Sequence, residues 1–375
     1  MSNKIYLIGD VHLSLGFPNN ADKWFKTHKQ YFESFLIPLL KERVKPGDII
    51  VQLGDLFDNR NIIPIHHLNY ALYIVEEMSK IAPLHILVGN HDMYNKSAGE
   101  INTLKPFKYI PNVFIYDIPQ KINFNDKSIL MMPFIEHRLE QIKYLKEHSG
   151  CDYLFCHSDL NGAKMHLTSV ANRNADKIDL VDFVGYKKVM TGHIHIRQVI
   201  DNITFVGSIF QMDRNDYKDQ KGIFIIDTET GEESFIENNI SPVFQKLSII
   251  TEQDVEKLDD YRGSKDYIDL AISNNLLISN RKLRRKLEAV LESGGFASIE
   301  YIDDIVQAVN EDVDSKSEEP IDESKIDISI QLDYGDYIKE YIMKQKYEND
   351  KFREGVVDEY DEIIKIYNEN YINKK

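Results

Sequence analysis

Leu84-His85-Ile86-Leu87-Val88-Gly89-Asn90-His91-Asp92 is the stretch that decides the fold. Its apolar run, Leu84 to Val88, reads as a short buried strand. Gly89 then permits a sharp turn, which sets Asn90 and His91 at the strand's carboxyl end. Open α/β sheets bind their ligands at that end. Asn90 offers a neutral carbonyl oxygen, and His91 offers a ring nitrogen that can ligate a metal or carry a proton. Taken alone, the stretch is also an ordinary turn, so its meaning rests on what surrounds it.

The same punctuation occurs upstream. Ile5-Tyr6-Leu7-Ile8 runs into Gly9-Asp10-Val11-His12, and Ile49-Ile50-Val51-Gln52-Leu53 runs into Gly54-Asp55. Between these strands, Trp24, His28, Tyr31, Phe32, Phe35 and Leu39 recur at helical spacing, which predicts a helix over 21–43. A second helix is expected over 65–81, entered through Pro64. This βαβαβ alternation predicts a parallel sheet with one functional edge. Shorter strands are expected within 113–132. Asp152 to Cys156 is a further strand ending in His157, and Lys187 to Met190 leads into Thr191-Gly192-His193-Ile194-His195. Turn dipeptides between Gln198 and Glu237 point to antiparallel strands.

A chain of 375 residues is long enough for more than one domain. Its formal net charge of −16 argues against a large sequence-independent DNA footprint but leaves room for a local cationic site. With 42% hydrophobic residues and no apolar run of membrane-spanning length, a soluble protein is expected, without a membrane span. Met1-Ser2-Asn3-Lys4-Ile5 enters a strand directly and lacks the apolar core of a signal peptide. The two cysteines, Cys151 and Cys156, are too few for a disulfide framework, and reduced thiols in a cytoplasmic protein are the reading that follows.

Residues 1–245 carry the strand-end motifs. Over 246–310, strands at Leu247–Ile250, Tyr267–Ile272 and Phe296–Tyr301 surround a helix near Arg281–Leu291, which reads as a small α+β domain. Residues 311–325 are acidic and poor in apolar groups, the composition of a linker. Two helical stripes occupy 326–375: Tyr334, Tyr337, Ile338, Tyr341 and Ile342, then Val356, Val357, Tyr360, Ile363, Ile364 and Tyr367.

Each strand-end residue has a plain reading by itself. An Asp after a strand is usually a cap or turn residue, and alternating histidines form the polar side of a strand. Five such blocks after what look like strands of one sheet point elsewhere. Two divalent cations about 3.5–4 Å apart clamp the attacking and leaving oxygens of a phosphoryl displacement, and one carboxylate must bridge them. Asp55 is the central candidate. Asp10, His12 and His195 would complete the first ion's shell; Asn90, His157 and His193 would complete the second. Mixed imidazole and oxygen donors suit manganese, iron or zinc better than magnesium alone. Asp92 is a candidate to orient one of the site imidazoles.

The set D-x-H, G-D, G-N-H-D, H and G-H-x-H resembles the signature of the calcineurin-like metallophosphoesterase superfamily over roughly 1–240. Gly54-Asp55-Leu56-Phe57-Asp58, Gly207-Ser208 and Lys221-Gly222-Ile223-Phe224 are similar to the SbcD/Mre-type DNA double-strand-break repair nucleases. Tyr337-Ile338-Lys339-Glu340-Tyr341-Ile342 resembles the tail of the tailed-phage recombination endonuclease subunits. The resemblance implies an α/β fold with a four-layer β-sandwich flanked by helices, a small α+β capping domain at 246–310 that helps hold DNA, and a C-terminal helical tail. It also implies a manganese-dependent exonuclease/endonuclease. Its implied partners are DNA, an SbcC/Rad-type coiled-coil ATPase bound through the tail, and a second copy of the chain. His91 would then protonate or steady the leaving oxygen. Many archaeal and eukaryotic members carry a second catalytic histidine where this chain has Asp58, which leaves the balance of exonuclease and endonuclease open. The family's Gly-Ser-Pro is Gly207-Ser208-Ile209 here.

Arg60, Lys96, Arg138 and Arg197 lie in or near the site loops and are candidates to meet DNA phosphates, with solvated surface charge as the plain alternative. His66, His67 and His85 read as structural. Two other functions stay open: a phosphomonoesterase or cyclic-nucleotide phosphodiesterase on the same site, and a non-catalytic adaptor that docks an ATPase on DNA.

Overall fold

A computed structural model describes residues 3–13, 21–95, 101–167, 169, 174, 177–261, 264–292 and 296–302. Lys96, the linker at 311–325 and the tail at 326–375 with its two apolar stripes lie outside the described residues.

In chain order, β1 (Lys4–Ile8) leads to α1 (Ala21–Tyr31), a wide π-helical turn (Phe32–Leu36) and α2 (Ile37–Arg43). Pro38 lies in the first turn of α2, and its missing N–H removes one bond of the regular helical ladder, which accounts for the wide turn just before it. β2 (Ile49–Gln52), α3 (Ile65–Ile81) and β3 (Leu84–Leu87) follow. Along α3, His67, Tyr70, Ala71, Ile74, Val75 and Met78 are buried, a spacing of three and four that puts one stripe against the sheet. Next come β4 (Val113–Tyr116), β5 (Gln120–Phe124), β6 (Lys127–Met132), α4 (Arg138–Glu147), β7 (Tyr153–His157), β8 (Lys188–Gly192), β9 (Gln198–Ile200), β10 (Ile203–Phe205), β11 (Gly222–Asp227) and β12 (Glu233–Glu237).

These strands form two mixed six-stranded sheets, ordered β12-β11-β1-β2-β3-β4 and β5-β6-β7-β8-β10-β9. The expectation of one parallel sheet is therefore corrected. β1 to β4 are parallel, but β11 and β12 add antiparallel edges. The strands that end in His157 and Gly192 belong to the second sheet. The antiparallel expectation for 198–237 also needs one change, because β10 runs parallel to β8.

Alternation explains the layering. Ile5, Leu7, Val51, Ile129, Met131 and Phe155 fill the space between the sheets. Their neighbours Tyr6, Ile8 and Ile50 face outward to the first helices. Leu130, Met132, Leu154 and Cys156 face Leu145 of α4 and Phe183. Helices, sheet, sheet and helices thus make four layers. Cys151 and Cys156 are buried free thiols, and burial pushes the Cys156 thiol up to about 12. Among the described residues, no helix is long and apolar enough to cross a membrane.

A third, parallel sheet of β13 (Phe244–Ile249), β14 (Tyr267–Ser273) and β15 (Phe296–Ile302) has its own core with α5 (Asn274–Ser279) and α6 (Arg281–Glu292). Trp24 joins it to the rest. Its ring stacks on Phe210 at 5.8 Å and lies 5.1 Å from the ring of Tyr267.

Candidate metal centre

The site collects where loops from both sheets meet. Val11 and His12 donate their backbone N–H groups to the Asp55 carbonyl at 3.0 and 2.9 Å. The loops after β1 and β2 are thereby tied together through backbone alone. His12, Asp55 and His193 all take positive φ, 48°, 55° and 80°, an uncommon conformation for residues with a Cβ and one concentrated at functional sites. A glycine is required at 89, because a Cβ there would lie 2.1 Å from Asp55 Oδ1. At Gly54, φ is +100° and a Cβ would meet His157 Nδ1 at 2.5 Å.

Two groups of donor atoms result. In the first, His12 Nε2 lies 2.9 Å from His195 Nε2, and Asp10 Oδ2 lies 3.5 Å from His195 Nε2 and 3.9 Å from His12 Nε2. In the second, Asn90 Oδ1 is 3.0 Å from His157 Nε2 and 2.7 Å from His193 Nδ1. Asp55 Oδ2 belongs to both, 3.6 Å from His12 Nε2 and 3.3 Å from His157 Nε2. The structure therefore brings together all seven residues picked as ligands, with Asp55 between the two groups.

The chemistry of these atoms calls for a cation. His157 Nδ1 lies 2.7 Å from the Leu53 carbonyl and must donate to it. That tautomer leaves Nε2 as a lone pair converging on two acceptor oxygens, those of Asn90 and Asp55. Burial disfavours a charged His157, but the Asp55 carboxylate, by charge and hydrogen bond, and then Asp10 outweigh it and lift the imidazole to about 9. His12 is likewise raised against its burial by Asp58, Asp55 and Asp10. Burial also works to raise Asp55; the charge and hydrogen bond of His157, then His12 and His91, reverse this and hold it far below the usual carboxylate range. Positive charge is favoured at His157 in one group and at His12 in the other, while burial and then the charge of His12 lower His195, so each group holds one cationic position that a proton or a metal ion can fill. The residues thus fit two divalent ions.

His91 lies outside both groups, although it forms a third cluster of close donor atoms with His12 and Asp58. Its backbone N–H donates to Asp55 Oδ1 at 2.8 Å, and its Nδ1 donates to the Asp58 carbonyl at 2.7 Å. Nε2 is the ring nitrogen left for chemistry. The Asp58 side chain reaches His12 Nδ1 at 3.2 Å, an ion-pair contact whose angle falls short of a hydrogen bond.

Asp92 is fully buried, and its role is corrected. Its carboxylate accepts N–H groups from Phe57, Gly89 and Leu56 at 3.0, 3.0 and 3.3 Å. It braces the loops that carry Asp55 and Asn90 rather than orienting an imidazole, since a carboxylate so placed satisfies three buried donors. Burial, then the Asp55 charge, raises it to about 7 against the Phe57 and Gly89 N–H groups.

Besides the ligands themselves, two carboxylates sit beside site imidazoles: Asp58, at His12, and Asp159, 3.8 Å from His193 Nε2 and paired with Lys177 at 2.8 Å. Sequence reasoning passed over Asp159, which stands in the loop two residues past the strand-end His157. Of the basic candidates, Arg138 pairs with Asp179 at 2.9 Å. Arg197 donates to Gln220 at 2.8 Å and lies 4.3 Å over the Phe235 ring. Arg60 is half-buried in the loop after Asp58. His85 contacts the Tyr116 hydroxyl at 2.7 Å, and the His66 and His67 rings lie 5.0 and 4.7 Å from that of Phe25, as structural residues do.

The sequence model of the calcineurin-like phosphoesterases matches residues 3–197, which contain every candidate ligand. Exonuclease subunit 1 of Enterobacteria phage T4 is 29% identical over 249 residues, covering 63% of this chain and 68% of that protein. A solved protein of unknown function from Aquifex aeolicus aligns with TM-score 0.27 and 22% identity over 42% of this chain and 81% of its own, a likeness too slight to add to the argument.

Proposed function

This chain belongs to the calcineurin-like phosphoesterase family, a di-metal hydrolase of phosphate esters, and we propose that its substrate is DNA. The observation that carries this reading is the pair of donor groups sharing Asp55 Oδ2, with His91 beside them and outside both. Support for a nucleic acid comes from two sides. The T4 relative is named an exonuclease subunit. The third sheet also bears a basic helix, α6, on which Arg281, Lys282, Arg284 and Arg285 are exposed in a chain of net charge −16.

Asp10, His12, Asp55 and His195 would hold one ion, and Asp55, Asn90, His157 and His193 the other. When bound, two divalent cations supply Lewis-acid charge to the attacking and leaving oxygens of an in-line displacement. The chain's own residues do the rest. Asp92 holds the Asp55 and Asn90 loops in register. The Asp58 carbonyl holds the His91 Nδ1–H, so the imidazolium form of the ring gives its Nε2 proton to the leaving sugar oxygen and ends as the neutral Nδ1–H tautomer. Manganese is the preferred ion, given imidazole and carboxylate donors in one site. Residues 246–310 help seat the duplex, and 326–375 dock an SbcC/Rad-type ATPase in double-strand-break processing. A second copy of the chain and a cytoplasmic setting complete the reading.

The test is digestion of end-labelled duplex and single-stranded DNA with added manganese, beside a small phosphomonoester. DNA cleavage that requires the metal is expected. Turnover of the small ester with intact DNA would favour the phosphomonoesterase reading. No hydrolysis of either, with metal bound, would favour the adaptor.

A further inference from the structure

Lys221 is buried, yet it belongs to neither donor group. Its ammonium has three acceptors: Asp216 Oδ1 at 2.8 Å, Asp219 Oδ2 at 2.7 Å and the backbone carbonyl of His195 at 2.6 Å. The contacts to Asp216 and the His195 carbonyl are hydrogen bonds, and the Asp219 contact is an ion pair. Asp219 Oδ2 also accepts the backbone N–H of Arg197 at 3.2 Å. The chain on either side of the His195–Arg197 segment is thus gripped by one cluster. The His195 carbonyl takes a second donor, Ser208 N–H, at 3.0 Å.

Stability is a poor explanation for this cluster. One carboxylate would neutralise the ammonium; two leave an excess negative charge in the interior, and burial raises Asp219 despite Lys221. Buried ion clusters of this kind are often no more stable than apolar replacements. What the cluster does supply is a fixed carbonyl. That matters most at His195, whose side chain is 29% exposed, against 3% for His12 and 0% for His157. His12 and His157 are held by packing on all sides. His195 reaches its place from the backbone.

We propose that Lys221 is a positioning residue for the first ion, holding the His195 backbone so that the imidazole meets Asp10 and His12. This rests on the two-ion reading of the site. It predicts selective damage: loss of the Lys221 ammonium weakens the ion of Asp10, His12 and His195 and spares the ion of Asn90, His157 and His193.

The experiment is manganese titration of the full chain by calorimetry and electron paramagnetic resonance, with Lys221→Met, Asp219→Asn and Asp152→Asn. Lys221→Met keeps the length and apolar stem of the side chain and removes the donor. One ion should bind as in the unaltered chain and the other about 10–100-fold more weakly, the usual effect of losing a group that orients a ligand. Asp219→Asn keeps the size and shape of the side chain and removes the excess charge, so it is expected to fold even where the methionine variant does not. It should show a smaller loss at the same ion. Asp152→Asn, which breaks a pair with Lys187 elsewhere, should keep both ions. Anomalous scattering should place the surviving ion on Asp55, Asn90, His157 and His193. Unchanged affinity for both ions in every folded Lys221 or Asp219 variant, or equal loss at both, overturns the proposal. Fewer than two ions in the unaltered chain would instead overturn the two-ion reading beneath it.

Discussion

Replacing His91 with alanine tests the proposed acid catalysis apart from metal binding, because its ring lies beside the two donor groups that share Asp55 and belongs to neither. Its ring is 36% exposed, and its Nδ1 bond to the Asp58 carbonyl is a single partly exposed hydrogen bond. Losing that bond costs about 0.5–1.5 kcal/mol of stability, too little to unfold the chain. Both donor groups remain intact, so metal content should stay at the unaltered level. Loss of a positioned proton donor slows cleavage by about 10²–10⁴, or roughly 3–5 kcal/mol in the barrier.

The leaving group tells whether the proton is the reason. A deoxyribose oxygen leaves poorly without a proton, whereas p-nitrophenolate leaves readily without one. His91→Ala should therefore impair single-turnover cleavage of labelled duplex DNA far more than hydrolysis of bis(p-nitrophenyl) phosphate. Equal losses on both substrates would show that His91 is no general acid. A fall in manganese stoichiometry would make it a ligand.

Three further outcomes follow from the geometry. Trp24→Ala should cost about 3–5 kcal/mol, read by urea unfolding, because the indole is 2% exposed and packs on Phe210 and Tyr267 together. Asp152 is held down to about 2 by the hydrogen bond from Lys187, then by the Ser128 N–H. Its carboxylate therefore stabilises the fold above its ordinary value near 3.8, and that contribution is lost as pH falls from there toward 2. Lys187 is 78% exposed, so screening leaves about 1 kcal/mol; Asp152→Asn should be that much less stable at pH 7, with the gap closing below pH 4 in thermal melts. Removing the residues after Lys325 should leave manganese-dependent nuclease activity intact and abolish co-purification with an SbcC-type ATPase; a truncated chain that still binds the ATPase would place docking elsewhere.

The strand-end blocks were legible in the sequence because each follows a short apolar run and, except at His157, a glycine. The helix stripe of 65–81 was legible for the same local reason, its period. What escaped was non-local. A run such as Tyr153-Leu154-Phe155-Cys156 looks alike whether its strand lies in the first sheet or the second, since both are covered on both faces. Nothing near Asp92 announces that its carboxylate serves three backbone N–H groups, two of them some 36 residues upstream. Lys221 is separated by 26 positions from the carbonyl it holds, and Asp159 is separated by 34 from the imidazole it approaches. Local pattern reveals which residues stand at a strand's end, while their supporting groups depend on chain crossings that carry no sequence period.

The central claim is a two-ion site built around Asp55, and the most direct measurement is anomalous scattering from crystals grown with manganese. Two peaks are predicted, sharing the Asp55 carboxylate: one with Asp10, His12 and His195, the other with Asn90, His157 and His193. A single peak, or one coordinated by His91 in place of these residues, would contradict it.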